Sequence, residues 1–108
     1  MPADPQTQYE AVVDELLATT PATTSKMFGM RCLKINGKAF AGLHHDAMVF
    51  KLSGSTHSEA LGLPGAHLFD PSHEGRPMKE WVEVPVQHAS RWIVFAREAL
   101  KYVDSKHK

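Results

Sequence analysis

The stretch that decides the fold is Leu33-Lys34-Ile35-Asn36-Gly37-Lys38-Ala39-Phe40-Ala41-Gly42-Leu43. In its first part, apolar Leu33 and Ile35 alternate with polar neighbours, which is the period of a β-strand with one buried face. Asn36 and Gly37 are the residue types that a two-residue hairpin turn requires, because its central positions adopt positive φ. The stretch therefore predicts two antiparallel strands, at about 30–35 and 38–43.

The same alternation continues on the carboxyl side of this hairpin. His44-His45-Asp46 predicts a second turn. Met48, Phe50 and Leu52 then recur at every second position, which predicts a third strand. Three consecutive strands joined by short turns form a meander, so a largely antiparallel sheet is expected.

Helices are predicted near both ends of the chain. Asp4-Pro5 places a capping side chain before a residue suited to a first helical turn, and apolar residues at helical spacing follow, so the first helix is predicted at 5–19. The Thr-rich and Ser-rich segment 19–25 is predicted to be a connector, because these side chains bond their own backbone. An apolar arc over 88–104 predicts the last helix.

Shorter elements are predicted between the meander and the last helix. Thr56-x-x-Glu59 has the pattern of a capping box and predicts a short helix. A brief strand is expected at 66–69, and another at 78–84 that ends before Pro85. The resulting order, α-β-β-β-α-β-β-α, predicts a two-layer α+β fold with helices packed on the sheet. The expected core combines both periodicities: Leu33, Ile35, Phe40, Phe50, Val82, Trp92, Phe95 and Ala99.

Length and charge narrow the class of protein. The 108 residues are the size of one folding unit, so a single domain is predicted over 1–108. Lys plus Arg and Asp plus Glu both number 12, which excludes the basic balance of a general nucleic-acid binder. Residues 1–25 hold four acids and no base, whereas residues 26–51 hold five bases and one acid. This asymmetry favours either a locally basic surface or neutralisation of the hairpins by the first helix.

The sequence also predicts a compartment. Cys32 is the only cysteine, so no internal disulfide can form, and the first ten residues lack the basic and apolar segments of a secretory signal. A cytoplasmic location is therefore expected. The apolar runs are far shorter than the roughly 18 residues of a spanning helix, so no membrane partner is expected.

Several motifs occur in a characteristic order over residues 8–104. They are Lys26-Met27-Phe28-Gly29-Met30, the hairpin at 33–43, Met48-Val49-Phe50-Lys51-Leu52, Pro64-Gly65-Ala66, Phe69-Asp70-Pro71, the segment 75–85 and the predicted helix from Trp92 to Val103. In these motifs the chain resembles the TfoX amino-terminal domain family. The resemblance implies a small α+β domain whose sheet is similar to that of secretion chaperones and YjbR-like proteins. It also implies a role in transcriptional or competence-type regulation, and it supplies no catalytic residue.

The main candidate site is the sheet face opposite the predicted core. Alternation places Lys34, Lys51 and Lys79 there with Trp81, in three separate strands. Lysines contact phosphate and bases stack on an exposed tryptophan, so the face could bind nucleic acid. A protein strand or an acidic peptide could dock there instead. The structural alternative is a solvated face on which Trp81 tucks under a loop or helix.

A second candidate is the loop around Arg76, whose guanidinium could bind a carboxylate or phosphate or could pair with Glu74. His44 and His45 lack a spaced second pair of ligands, so no metal site is predicted. No sequence feature places a base beside Cys32, which is typical of a packing residue.

These observations predict a non-enzymatic domain, with no catalytic residue and no cofactor, that acts by associating with a protein partner. The first alternative is a nucleic-acid-binding module that uses the face with the lysines and Trp81. The second alternative is a small enzyme centred on Cys32 or the histidines. No oligomeric state is predicted.

Overall fold

Two tight turns organise the sheet, as the sequence predicted. The computed structural model describes residues 4–27, 30–70 and 78–106. Its helices are α1 (Pro5–Thr19), α2 (Gly54–Leu61) and α3 (Ala89–Lys106), and its strands are β1 (Thr23–Met27), β2 (Met30–Ile35), β3 (Lys38–His44), β4 (Ala47–Lys51), β5 (His67–Phe69) and β6 (Met78–Pro85). Between β2 and β3, Asn36 has a φ of 54° and Gly37 of 79°, and His45 between β3 and β4 has a φ of 56°. Asn and Gly adopt this left-handed region at little cost, so the hairpin register is set locally.

The six strands form one sheet in the order β1-β2-β3-β4-β6-β5, and every neighbouring pair is antiparallel. Residues of α1, α2 and α3 share one apolar core with a single face of this sheet. The predicted two-layer α+β fold is therefore confirmed.

Strand β1 is an element that the sequence analysis missed. Residues 19–25 were predicted to be a connector, yet Thr23 to Met27 pair with β2 in an unbroken register from Thr23 opposite Lys34 to Met27 opposite Met30. The prediction was wrong because threonine has two tendencies: it bonds its own backbone in turns, and its branched side chain fits a pleated strand. Pairing with the neighbouring strand β2 favours the strand conformation here.

The core on the helix side is the one predicted from the two periodicities. All eight predicted core residues are buried, with exposures of 0–2%. Phe50 of β4 packs on Phe95 of α3 with ring centroids 5.8 Å apart, and the indole N–H of Trp92 donates to the carbonyl of Val84 at 3.2 Å. A register shift in the pairing of β2 with β3 allows Phe40 and its neighbour Ala41 to enter the same core.

The ends of the helices follow the sequence only in part. Asp4 caps α1 as predicted, because its carboxylate accepts from the backbone N–H of Thr7 at 3.3 Å. The predicted capping box at Thr56 and Glu59 is not formed: α2 begins at Gly54 after Ser53, whose side chain makes no capping bond. Within the described residues, no helix has both the length and the apolar content needed to cross a membrane.

Candidate functional site

The second face of the sheet, which is turned away from the helices, contains Trp81, one of the residues that the sequence singled out. Cys32, Gly42, Val49 and Glu83 lie opposite one another in neighbouring strands, one residue along from the core row on the other face. Gly42 leaves room for the Met30 side chain, since a Cβ at this position would lie 2.6 Å from Cε of Met30 and 3.0 Å from the carbonyl oxygen of Arg31. Met30 can therefore lie flat against the strand.

A small apolar cluster closes the middle of this face. We call it the second-face cluster; its buried members are Met30, Val49, Phe69 and Trp81, with Ala39 and Met78 packed against them. Trp81 is only 5% exposed. The expectation of an exposed stacking platform is wrong for this residue, because its ring surface is covered by packing. Trp81 is buried as in the structural alternative, but the described residues that pack against it belong to strands.

The three predicted lysines lie on β2, β4 and β6, so β3 separates Lys34 from Lys51, whereas β4 and β6 are neighbours. Lys34 is half-buried, two strands away from Lys51, and Lys79 is exposed. The Lys51 ammonium lies 3.9 Å from a carboxylate oxygen of Glu80, with 27% of the Lys51 side chain exposed. Arg76, the fifth predicted site residue, falls outside the residues that the structure describes.

Cys32 is placed as a packing residue. Its side chain is fully buried, and burial raises the pKa of its thiol, an effect that the charge of Lys34 partly opposes. A thiolate is the reactive form of cysteine, and a shielded, protonated thiol is a poor nucleophile. This geometry favours the structural role that the sequence indicated.

A cluster that the sequence analysis did not assemble lies at one margin of the second face. Glu83 of β6 lies between two histidines, with one carboxylate oxygen 3.2 Å from Nδ1 of His44 and the other 3.6 Å from Nε2 of His67. His44 also packs edge-on against Phe69, with ring centroids 5.0 Å apart. The pairing of β5 and β6 places His67 opposite Glu83, which only the strand order reveals.

The described residues do not bring three metal-ligating side chains together in a way that could hold an ion. The two contacts of Glu83 reach different carboxylate oxygens, so the carboxylate bridges its histidines. The arrangement joins side chains of β3, β5 and β6 through one carboxylate.

The second feature missed by the sequence is the free edge of β1. Antiparallel pairs alternate between hydrogen-bonded and non-bonded, and the pair that flanks a two-residue loop is the bonded one. Met27 and Met30 are the pair on either side of such a loop, so this pair is hydrogen-bonded. By alternation, Ser25 is also hydrogen-bonded to β2, whereas Thr24 and Lys26 are not. The backbone N–H and C=O of Thr24 and Lys26 therefore point away from β2.

This edge is uncovered in the described part of the chain. No strand pairs with its outer side, and Thr23, Thr24 and Lys26 are exposed. Lys26 lies directly opposite Arg31 on the helix side of the sheet, and Arg31 in turn lies 3.2 Å from Glu10 of α1. The acidic first helix thus neutralises one of the two cations, in agreement with one of the two expectations drawn from the charge asymmetry.

Several grooves lie on the helix side, two of which are lined by Arg97 or Lys101 of α3. One, of about 480 Å³, runs between α1 and α3 and is crossed by an ion pair at 2.7 Å between Arg97 and Glu15. The other, of about 280 Å³, lies between α2 and the end of α3 and is lined by Ser53, Thr56 and Lys101, among others. Neither contains a charged or polar side chain that is buried without a partner.

No protein-family model, no curated protein and no solved structure matches this chain significantly. The assignment to the TfoX amino-terminal domain family stays a prediction that depends on the motifs quoted above.

Proposed function

We propose that this chain is a non-enzymatic, TfoX-like domain that acts in the cytoplasm by binding another protein, in transcriptional or competence-type regulation. The observation that carries the proposal is the free edge of β1, whose outward backbone groups at Thr24 and Lys26 have no partner strand in the described residues. Edge strands of this kind recognise extended segments of other proteins through main-chain hydrogen bonds. The motifs that resemble the regulator family supply the regulatory context.

The burial of Trp81 weighs against the nucleic-acid alternative. Recognition of single strands depends on exposed aromatic rings beside cations, and the ring of Trp81 is closed off in the second-face cluster. The ammonium of Lys51 also lies near Glu80. Trp81 and Lys51 are therefore poor candidates for contacts with nucleic acid.

Affinity capture with matched variants tests the proposal. Lys26→Pro removes the outward N–H without touching a bond to β2, and proline is tolerated at such a position of an edge strand. Lys26→Ala keeps that N–H. We expect extracts of the native host to yield the same protein partner with wild type and Lys26→Ala, and much less of it with Lys26→Pro.

Nuclease treatment and a salt series accompany the capture. Phosphate contacts would make retention fall steeply with salt and vanish with nuclease, whereas a main-chain interface should change little. Equal retention by wild type and Lys26→Pro would contradict the assignment to β1, and loss of the partner with nuclease would favour the nucleic-acid alternative.

A further inference from the structure

The edge of β1 also indicates which kind of segment it would accept. We propose that β1 binds an extended segment with acidic side chains at alternate positions, which adds to the six-stranded sheet as a seventh strand. The inference rests on the proposed function of protein association. It adds the conformation and the charge of the partner.

The main-chain part of the inference follows from the pairing. Thr24 and Lys26 each direct one N–H and one C=O outwards, two residues apart along the strand. An incoming extended chain presents its own donors and acceptors with the same two-residue repeat, so both residues can be bonded at once. Helical or compact partners cannot match this spacing, which is why an extended segment is specified.

The charge of the segment follows from Lys26. Its side chain is exposed and makes no ion pair with any residue in the described ranges 4–27, 30–70 and 78–106, whereas neighbouring Arg31 already has Glu10 at 3.2 Å. A residue directly opposite Lys26 on an added strand would have its Cβ about 5 Å away, where opposite charges stabilise and like charges destabilise. The side chains on that face of the segment should therefore be acidic.

On the second-face side of the sheet, β1 favours different side chains in the bound segment. Thr23 and Ser25 lie on the second-face side, with Ser25 opposite buried Cys32. These small residues leave room for β-branched neighbours, which favour an extended conformation. The two faces together describe a segment in which acidic residues alternate with Val or Thr.

A second copy of the same chain is a poorer occupant. The five residues of β1 are Thr-Thr-Ser-Lys-Met, with one cation and no acid. Two such edges could bond their main chains, but neither would supply a carboxylate to the other's Lys26. Charge complementarity therefore selects a different, acidic chain.

The test uses the synthetic peptide Thr-Glu-Val-Glu-Val-Glu-Thr as the probe, with a fluorescent label and binding followed by polarisation. The control peptide replaces each Glu by Lys, and a second control has methyl groups on alternate backbone nitrogens. We expect the acidic peptide to bind and both controls to bind at least roughly tenfold more weakly, because one is repelled by Lys26 and the other cannot complete the main-chain bonds.

Protein variants separate the two contributions. Lys26→Ala should weaken binding about two- to fivefold, the size of one exposed ion pair. Lys26→Pro should weaken it at least roughly threefold further, through the lost N–H. Lys79→Glu and Lys26→Glu change the net charge equally, and only Lys26→Glu should weaken binding, since Lys79 lies on β6. Circular dichroism of each variant checks that it folds.

Amide hydrogen exchange on the wild-type protein gives a readout that needs no variant. Without peptide, the amide of Ser25 should exchange slowly and those of Thr24 and Lys26 quickly, since only Ser25 is bonded to β2. Bound peptide should slow the amide exchange of Thr24 and Lys26 and leave the exchange of the Ser25 amide unchanged.

The possible failures are distinct. Peptide that binds without protecting Thr24 and Lys26, or no binding at all, would overturn the inference. Equal binding of the Lys peptide, or of oligothymidylate of equal charge, would overturn the acidic-segment assignment. The capture experiment with Lys26→Pro would still report on protein association, so a failed peptide and a failed function can be told apart.

Discussion

The two faces of the sheet use neighbouring residues of the same strands and become buried in different ways. On the helix side, Leu33, Phe50 and Val82 lie in one row beneath residues of α1 and α3. On the second face, Val49 is equally buried, and the described residues that pack with it are strand residues such as Trp81 and Phe69.

This difference shows what the sequence pattern can and cannot specify. A helix-covered face needs only apolar residues of suitable volume at every second position, so alternation predicts it. Burial of the second face depends on how side chains of particular shape interdigitate, which alternation does not specify. Charged residues such as Glu83 lie at the margin of this face. The expected effects of substitution should therefore separate the two faces, and the predictions below test that separation.

The largest effect is expected at Phe50, in the middle of the helix side. Phe50→Ala should lower the free energy of unfolding by about 3–5 kcal/mol, because the side chain is fully buried against Phe95 and leaves a cavity. Urea unfolding followed by circular dichroism measures this. Val94→Ala, at a 53% exposed position of α3, is the control and should change stability by less than about 0.5 kcal/mol. A loss below about 1 kcal/mol for Phe50→Ala would contradict the strand register.

Trp81→Ala should have the next largest effect, about 3 kcal/mol, at the centre of the second-face cluster. Trp81→Phe keeps an aromatic ring in contact with the second-face cluster, so it should recover much of the loss. The same urea titration measures both variants. If Trp81→Ala left stability within about 1 kcal/mol of wild type and removed binding instead, Trp81 would not be a packing residue of the second face, and the stacking-platform hypothesis would return.

Sequence reasoning anticipated the helix side and missed most of the second face for a physical reason. The hairpin at 33–43 carries its own turn residues and its own alternation, so it is specified locally. Strand β1 depends on its neighbour β2, and the burial of Trp81 depends on Met30 and Phe69, which alternation alone does not bring over the same strand. Alternation assigns Lys34 and Lys51 to one face, but the strand order that separates them is a property of the whole fold.

The third prediction concerns a polar group buried on the helix side. The hydroxyl of Tyr9 is the one side-chain polar atom among the described residues that is buried without a hydrogen-bond partner. Burial raises the pKa of Tyr9 from 10.0 to about 12, although Arg31, whose guanidinium lies 5.2 Å from the ring centroid, acts in the opposite direction. Tyr9→Phe should stabilise the fold at pH 7 by about 1 kcal/mol, because it removes the unsatisfied hydroxyl.

The dependence of folding stability on alkaline pH tests the burial of the Tyr9 phenol independently. Folding favours neutral Tyr9, so its stabilising contribution is complete below pH 10 and is lost as the pH rises from 10.0 to about 12. Wild type should lose about 2 kcal/mol in that window beyond what Tyr9→Phe loses. Parallel urea titrations at pH 7, 9.5 and 11.5 measure the difference. An equal fall of the free energy of unfolding with pH in the two proteins would contradict the burial of the phenol.

The smallest effect is expected at the charged margin of the second face, where Glu83 bridges His44 and His67. Glu83 is only 16% exposed, with its carboxylate oxygens 3.2 Å and 3.6 Å from the two imidazoles. Glu83→Gln keeps the shape and one acceptor but removes the charge, so we expect a loss of about 1 kcal/mol. The control is Glu98→Gln, whose partner Lys101 at 3.4 Å is 73% exposed and which should lose less than about 0.5 kcal/mol.

A double-mutant cycle between Glu83→Gln and His44→Gln should give a coupling above about 0.5 kcal/mol, because these side chains contact each other directly. Zero coupling would mean that the carboxylate is held by packing alone, and the margin of the second face would then resemble the helix side in depending on shape.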